Sequence, residues 1–477
     1  MIGPAIMTRV RSDLDYLEQL TTRRALPLPS NQTLESGHQH PFPPEPKERM
    51  RQSTHAIPGI LVHNHTFTVP LDYTNPSRTI EVFAREVIAP GKVEAKQPYL
   101  VFLQGGPGSG SPRPTGNSGW IKRALQDYRV LLLDQRGTGL STPITAQTMR
   151  SLDSPQSQAD YLVHFRADNI VRDCEAIRQQ LIGADTWSIL GQSYGGFCSM
   201  RYLSAAPEGL REVFITGGIP SLTRPTDEVY RATYPRVMEK NARYYQRFPD
   251  DVARVRELVR YLLVNEVVMP SGGRLTAQRF LQLGLQFGMS DGFEAIHYLL
   301  EEAWVSGTNG KREINWNFLF HLEQLQSFDT NPIFSLLHEA CYTQQAASNW
   351  SAQRLLAEFP AFSLEREQVL FTGEMIYPWM FETYPQLVPL KGAADILAKS
   401  DAWPVLYDVE RLKKNRVPVA AAVYFDDMYV HREFSEETAR IVPNMKIWHT
   451  NQYEHNGLRA DGEAVLGRLM AMVRGEI

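Results

Sequence analysis

Hydrophobic and polar positions alternate in residues 59–73 and again in residues 79–89. The first stretch reads GILVHNHTFTVPLDY and the second TIEVFAREVIA, and both are rich in β-branched residues. Alternation with a period of two is typical of strands that bury one face. The residues between them, TNPS, favour a turn. The pattern therefore predicts an antiparallel hairpin.

A different pattern follows, in which short continuous apolar runs end in glycine-rich segments. They read PYLVFLQGGPGSGSP, YRVLLLDQRGTGLS, TWSILGQSYGG and EVFITGGIPSL. Runs of this length, with helical segments such as DNIVRDCEAIRQQLI between some of them, are typical of buried parallel strands. We expect an α/β fold with a mostly parallel, doubly wound sheet, in which each strand ends in a loop that can carry chemistry.

The pattern of apolar and polar residues changes between about residues 223 and 400, where long helical stretches such as DEVYRATYPRVMEKNARYYQRF dominate. Strand-and-loop segments return in VPVAAAVYFDD and MKIWHTNQYEHNG, and an amphipathic helix closes the chain. The sequence thus predicts a core in two parts, 57–222 and 401–477, with a helical cap inserted at 223–400. Residues 1–56 are rich in proline and charge, which predicts a partly disordered extension with a short amphipathic helix at RSDLDYLEQLTTR.

Composition narrows the classes of protein. The chain has 477 residues, a formal net charge of -4 and three cysteines. That charge gives no electrostatic footprint for nucleic acid, and no apolar stretch approaches the ~20 residues that span a bilayer. Three cysteines without a CxxC pattern support neither a disulfide framework nor a cysteine zinc site. We expect a cytoplasmic protein, and the sequence leaves its oligomeric state open.

One serine lies where a strand is predicted to turn into a helix. Residues 191–195 match G-x-S-x-G, with Ser193 at the centre, between an apolar run and a helical run. In that context the motif indicates a nucleophile elbow, a tight turn that exposes the serine. Glycine is needed at the flanks because a side chain there would collide with the neighbouring strand or helix. The alternative is an ordinary glycine-rich turn.

A serine hydroxyl needs a base to take its proton and an acid to orient that base. Where such an elbow is catalytic, the acid and then the histidine follow it along the chain. His455, on the loop of YEHNG, is the expected base, whereas His449 lies within a strand and His431 near a helix start. The acid should end the preceding strand, and there YFDDMYV supplies Asp426 and Asp427. Adjacent strand residues face opposite ways, and we choose Asp427.

The oxyanion of an acyl-transfer intermediate needs backbone N–H donors. We expect one from Tyr194, the residue after the nucleophile, and one from Gly105 or Gly106 in QGGPGSG. We see no metal-ligand spacing and no dinucleotide fingerprint, and we assign neither metal nor cofactor.

With these residues in hand, the chain resembles the proline iminopeptidases, in particular their longer form, within the α/β-hydrolase superfamily. The resemblance is carried by LQGGPGSGSPRP, LLLDQRGTGLST and LGQSYGGF, with YFDDMYV and EHNG further on, and it spans about residues 57–477. It implies an α/β-hydrolase fold with a helical cap over the site and a triad of Ser193, Asp427 and His455. Gln104 replaces the histidine that opens the loop motif of shorter members.

The resemblance also implies recognition of a free secondary amine, because the family removes N-terminal proline from peptides. A buried cation needs a carboxylate partner, and Glu374, in FTGEMIYPWMFE, resembles the amine-binding glutamate of the family. Tyr377, Trp379 and Phe381 are candidates to line the pyrrolidine pocket, with core packing as the alternative.

A further expectation concerns the DQRG loop, where we predict that Asp134 and Arg136 form an ion pair. This pair should brace the QGGPGSG segment, residues 104–110, which we call the oxyanion loop.

The leading hypothesis is a serine exopeptidase acting on short peptides with N-terminal proline. Two alternatives remain: an esterase or an aminopeptidase of broader specificity with the same triad, and a non-catalytic binding protein of the same fold. Labelling of Ser193 by a fluorophosphonate probe would separate the last from the first two.

Overall fold

The structure is a computed structural model that describes residues 53–477. The predicted helix at RSDLDYLEQLTTR lies outside the described residues. Eleven strands are present in that range: β1 (Ser53–Ile57), β2 (Ile60–Asp72), β3 (Asn75–Ile88), β4 (Tyr99–Leu103), β5 (Arg129–Leu133), β6 (Trp187–Gln192), β7 (Leu210–Thr216), β8 (Trp304–Ser306), β9 (Arg312–Ile314), β10 (Val419–Tyr424) and β11 (Met445–Thr450).

The α-helices of the same residues are distributed before, within and after the insertion. They are α1 (Gly119–Ala124), α2 (Ala146–Met149), α3 (Pro155–Leu162), α4 (Ala167–Ile182), α5 (Tyr194–Ala205), α6 (Thr226–Arg247), α7 (Asp251–Val264), α8 (Ala277–Leu281), α9 (Gly292–Glu301), α10 (Trp316–Gln324), α11 (Pro332–Leu337), α12 (Ser351–Leu355), α13 (Met380–Thr383), α14 (Lys391–Lys399), α15 (Val409–Leu412), α16 (Arg432–Ile441), α17 (Gly457–Ala460) and α18 (Gly462–Arg474).

Nine strands form one sheet in the order β1-β2-β3-β5-β4-β6-β7-β10-β11. The strands from β5 to β11 in this order run parallel, and β1, β2 and β3 are joined to the sheet by antiparallel pairs. Every apolar run singled out above is a strand of this sheet. The predicted mostly parallel sheet and the antiparallel hairpin of β2 and β3 are therefore confirmed.

Two boundaries differ from the sequence prediction. β3 already begins at Asn75, so the turn is Tyr73–Thr74 and not TNPS, because the Asp72 carboxylate accepts hydrogen bonds from the Thr74 N–H at 2.8 Å and its hydroxyl at 2.7 Å and closes the turn early. The predicted extension over 1–56 is also too long, since β1 begins at Ser53 and pairs with β2.

Each face of the sheet carries its own apolar cluster, as period-two alternation requires. Leu100 and Phe102 of β4 belong to the cluster under α1 and α18, whereas Val101 and Leu103 belong to the cluster under α4 and α5. Helices therefore cover both faces, which is the doubly wound arrangement. The parallel strands all end at one edge of the sheet, and the candidate chemistry lies on the loops there.

The segment between β7 and β10 is mostly helical, with the small hairpin of β8 and β9 as an addition that the sequence reading did not include. One apolar cluster extends from the sheet into this segment and includes Ile189, Phe371 and Leu397. Residues 53–477 lie within one compact unit. We refer to residues 223–400 as the cap.

None of the helices within residues 53–477 combines the length and the apolar character that crossing a bilayer would require.

Candidate active site

Ser193 occupies a sharp turn between β6 and α5. Its backbone angles are φ 53° and ψ -122°, a strained region for any residue other than glycine. The glycines around it are required by space: a Cβ on Gly195 would lie 1.9 Å from the Leu103 carbonyl oxygen, and one on Gly191 would lie 2.4 Å from the Gly195 carbonyl oxygen. The geometry is that of a nucleophile elbow and not of an ordinary turn.

His455 and Asp427 are joined by a short hydrogen bond. The imidazole Nδ1 lies 2.7 Å from Asp427 Oδ2, and both side chains are buried. Asp427 Oδ1 accepts hydrogen bonds from the N–H groups of Tyr429 at 2.9 Å and Val430 at 3.1 Å, which fix the carboxylate. Burial alone would lower the pKa of His455, but the carboxylates of Asp427, Glu374 and Glu454 together outweigh it and raise that pKa above its usual value.

The alternative residues at these positions point elsewhere. Asp426 forms an ion pair with the half-exposed Arg243 at 2.8 Å. His449, on β11, lies 3.2 Å from Glu436. His431 is the residue before α16. Of the histidines that follow the cap, His455 is the one that contacts Asp427.

The elbow and the histidine lie on either side of the Gly217–Gly218 pair. A Cβ on Gly217 would be 3.0 Å from His455 Nδ1, and a Cβ on Gly218 would be 2.3 Å from the Ser193 carbonyl oxygen. Within residues 53–477 the Ser193 hydroxyl makes no hydrogen bond in this state. Catalytic hydrogen bonds of this kind are often long without substrate and tighten when it binds.

The predicted oxyanion donors surround Ser193. Tyr194 is the first residue of α5, so its N–H has no acceptor inside the helix. A Cβ on Gly105 would lie 2.9 Å from Ser193 Cβ, so the two loops are in direct contact, and Gly106 lines the same small cavity as Ser193. The positive end of the α5 dipole adds to the field at this point.

The predicted ion pair between Asp134 and Arg136 is wrong, because each residue has another partner. Asp134 is fully buried and binds both terminal nitrogens of Arg113, at 2.7 and 2.8 Å, and the Ser111 N–H. It still braces the segment that follows the oxyanion loop. Arg136 binds Asp173 instead, through a buried bidentate pair.

Glu374 lies in the cavity beside Ser193. Burial raises the pKa of its carboxyl to about 8, with a lowering effect from His455 and a raising effect from Asp427. Among the described residues no hydrogen-bond donor reaches the carboxylate. The same cavity is lined by His338, Cys341 and Tyr342 of the cap.

His338 is a candidate that the sequence reading missed. Its ring is buried, its Nδ1 has no hydrogen-bond partner in the described part of the chain, and burial lowers its pKa to about 4, which keeps the imidazole neutral. No pattern around residue 338 marks it, because it follows a short helix without a motif.

Three predicted pocket residues lie elsewhere. Tyr377 and Trp379 stack at 5.7 Å and line a separate cap cavity of about 450 Å³, and the Tyr377 hydroxyl is 3.1 Å from that of Tyr234. Phe381 is buried against Trp350, with ring centroids 5.7 Å apart. None of the three lines the cavity at Ser193. Core packing, the alternative, describes them better than a role in a pyrrolidine pocket.

The cap also holds the loops that carry Asp427 and His455. The segment Gln282–Gly288 and the residues after it supply the contacts: the Gly288 carbonyl accepts from the His455 N–H at 3.2 Å, and Ser290 binds Asn456 at 2.9 Å. Lys240 of α6 is buried and binds Glu454 at 2.6 Å. The cap therefore contributes to the position of the histidine as well as to the walls of the cavity.

Comparison with known proteins agrees with this geometry. The family described as alpha/beta hydrolase fold matches residues 98–362, more than half of the chain. Together with the sheet order and the elbow, this match defines the class: the chain is an α/β hydrolase.

Two relatives narrow the class to a family. A proline iminopeptidase from Aeromonas sobria is 50% identical over 88% of this chain and 98% of its own length. One from Aspergillus aculeatus is 37% identical over 86% of this chain and 93% of its own. The chain belongs to the proline iminopeptidase family. A crystal structure of a proline iminopeptidase from Mycobacterium smegmatis covers 86% of this chain and 98% of its own, with 14% identity and a TM-score of 0.42.

Proposed function

We propose that the protein releases N-terminal proline from short peptides by acyl transfer to Ser193. The observation that carries the proposal is the cavity in which the elbow serine and the unpaired Glu374 carboxylate meet. The family assignment supports it, because two relatives are named proline iminopeptidases.

The reaction proceeds in two halves. Ser193 Oγ attacks the prolyl carbonyl carbon while His455 Nε2 takes the hydroxyl proton, and the N–H groups of Tyr194 and Gly105 or Gly106 bind the oxyanion. The C–N bond then breaks, and the leaving nitrogen takes the proton from His455. In the second half, His455 takes a proton from water, which attacks the carbonyl carbon of the acyl-enzyme. The ester bond then breaks, Ser193 Oγ regains the proton, and proline is released. Asp427 keeps the imidazole in the tautomer that this requires.

Recognition of the amine follows from the groups in the cavity. A prolyl ammonium has two N–H donors and one positive charge, and burying it without partners is costly. The Glu374 carboxylate supplies the opposite charge and an acceptor, and the neutral imidazole of His338 supplies a second acceptor. The cavity has a free volume of only about 10 Å³, so binding of a proline ring requires cap residues to move.

Replacement of the nucleophile tests the proposal. Ser193→Ala should reduce hydrolysis of Pro-p-nitroanilide by about 10⁴-fold or more and abolish labelling by a fluorophosphonate probe. Asp427→Asn should lower kcat by about 10³ to 10⁴-fold because it favours the wrong tautomer of His455. The neighbouring Asp426→Asn is the matched control and should stay within about twofold, since an exposed ion pair contributes little.

Substrate chemistry distinguishes the alternatives. The wild type should cleave Pro-p-nitroanilide and reject its N-blocked form. Equal rates on both, or faster hydrolysis of p-nitrophenyl esters, would favour an esterase or a broader peptidase over the proposed activity.

We also propose a cytoplasmic location. Support comes from the three cysteines, Cys174, Cys198 and Cys341, which are all buried as free thiols and fit a reducing compartment. Fractionation of cells with an antibody to the chain tests it, and recovery outside the cytoplasm would contradict it.

A further inference from the structure

A cavity of about 520 Å³, distinct from the two described above, adjoins the triad at His455. It is lined by His455, by Gln192 next to the nucleophile, and by Gln104 at the start of the oxyanion loop. We call it the His455 groove. Ser193 and Glu374 line the small cavity described above and are not among the residues that line this groove.

Proton transfer determines which part of a substrate belongs in the groove. The nitrogen that leaves must take its proton from His455, so the chain beyond the broken bond has to extend on the histidine side. The prolyl group lies on the other side, next to Glu374. The His455 groove is therefore positioned to hold the residues that follow proline.

The groove walls indicate the chemistry of its occupant. Trp120 stacks on Phe102, with ring centroids 4.7 Å apart, and both line the groove together with Leu458. Apolar lining of this kind suits an apolar side chain directly after proline. The lining contains two arginines, Arg113 and Arg459, and no acidic residue among the described residues.

The two arginines differ in how firmly they are engaged. Arg113 binds the buried Asp134 with both terminal nitrogens, so that carboxylate already neutralises its charge. Arg459 forms one contact of 3.1 Å with Asp291, and the two side chains are 65% and 76% exposed. Exposed pairs of this kind are worth little, so Arg459 can exchange Asp291 for another carboxylate at small cost.

We propose that the His455 groove binds the leaving peptide and that Arg459 recognises its terminal carboxylate. The inference rests on the proposed function and adds to it a substrate class: short peptides with an apolar residue after proline and a free carboxyl end. Asp291 competes with the substrate carboxylate for Arg459.

Pairs of peptides that differ only at the carboxyl end test the inference. For Pro-Leu and Pro-Leu-Gly we expect kcat/KM of the free acid to exceed that of the amide by about fivefold for at least one length, which corresponds to about 1 kcal/mol. Arg459→Gln should remove the preference by slowing the free acid alone. Asp291→Asn should increase it, because the competing carboxylate is lost.

Two controls separate this inference from the proposed function. Pro-p-nitroanilide has no terminal carboxylate, so Arg459→Gln should change its cleavage far less than that of the free acids. Arg312→Gln, at an exposed and paired arginine of β9, should leave every ratio unchanged. Equal rates for acids and amides in the wild type, or a preference that survives Arg459→Gln, would overturn the inference while Pro-p-nitroanilide cleavage persists. If the wild type does not cleave Pro-p-nitroanilide, the proposed function and this inference are overturned together.

Discussion

At the scale of single residues, the site is defined by a few side chains whose surroundings set their charge. The sequence placed the acid at either of two adjacent aspartates, and alternation along a strand favoured one of them. The structure joins Asp427 to His455 and directs Asp426 toward Arg243. Partners of buried charges were harder to foresee: Asp134 binds Arg113 and Arg136 binds Asp173, because loop residues have no periodicity that indicates what they face.

The raised pKa of Glu374 predicts that the rising limb of the pH profile of kcat/KM lies at an unusually high pH. In the proposed mechanism the Glu374 carboxyl must ionise to pair with the prolyl ammonium, and burial raises its pKa to about 8, so kcat/KM for Pro-p-nitroanilide should rise with pH through about 8. At higher pH it should fall as the substrate amine loses its proton. Measurement of kcat/KM between about pH 5 and 10 shows the limb.

Variants of the same cavity make this prediction specific. Glu374→Gln should lower kcat/KM by about 100-fold or more, since a buried cation loses its counter-charge. The rising limb should move to lower pH, where deprotonation of His455 alone sets it. His338→Phe removes only an acceptor and should cost about tenfold while the limb stays. His321→Phe, at an exposed histidine of the cap, is the control. An unchanged limb in Glu374→Gln would contradict the assignment.

At the scale of elements, the sequence predicted most of the core. Buried parallel strands are continuous apolar runs, and each run singled out is a strand. The cap was harder to predict, because the sequence of its short helices and turns does not reveal which aromatic side chains face the site. Tyr377, Trp379 and Phe381 were expected near the substrate and instead pack within the cap.

The contact between the elbow and β4 predicts that Gly195 is irreplaceable. A Cβ there would meet the Leu103 carbonyl oxygen at 1.9 Å, and neither backbone segment can move without disturbing the sheet. Gly195→Ala should lower the free energy of unfolding by about 3 kcal/mol or more, as measured by urea denaturation.

Gly467, within α18, provides the matched comparison. Its nearest neighbour beyond the helix is the flexible side chain of Arg123, at 3.6 Å. Gly467→Ala should therefore stabilise the protein by about 0.5 to 1 kcal/mol, the usual helix preference for alanine. Equal effects of the two substitutions would show that the elbow tolerates a side chain.

At the scale of the whole molecule, the cap does two things: it encloses the cavity beside Ser193 and it supports the loops of Asp427 and His455. The second was not foreseen from the sequence, because contacts between distant segments such as Gly288 and His455 leave no local pattern.

The buried Lys240 tests the support given by the cap. Lys240→Met leaves the partly exposed Glu454 unpaired, which should cost about 2 kcal/mol of stability and shift the neighbouring His455. We expect kcat for Pro-p-nitroanilide to fall about fivefold to tenfold with little change in KM. Lys240→Arg keeps the charge and should retain most of the wild-type kcat. The control Lys391→Met, at an exposed lysine of the cap, should have no effect on kcat. A change in KM alone would indicate a role in substrate binding instead.

The order of the strands also bears on the protein during its synthesis. Ser193 directly follows β6, whereas the proposed acid and base, Asp427 and His455, follow β10 and β11 far later in the chain. A nascent chain can complete its elbow and even its cap and still have no base to activate the serine. With this triad, the growing polypeptide should remain inert toward other peptides until the segment after β11 has been made.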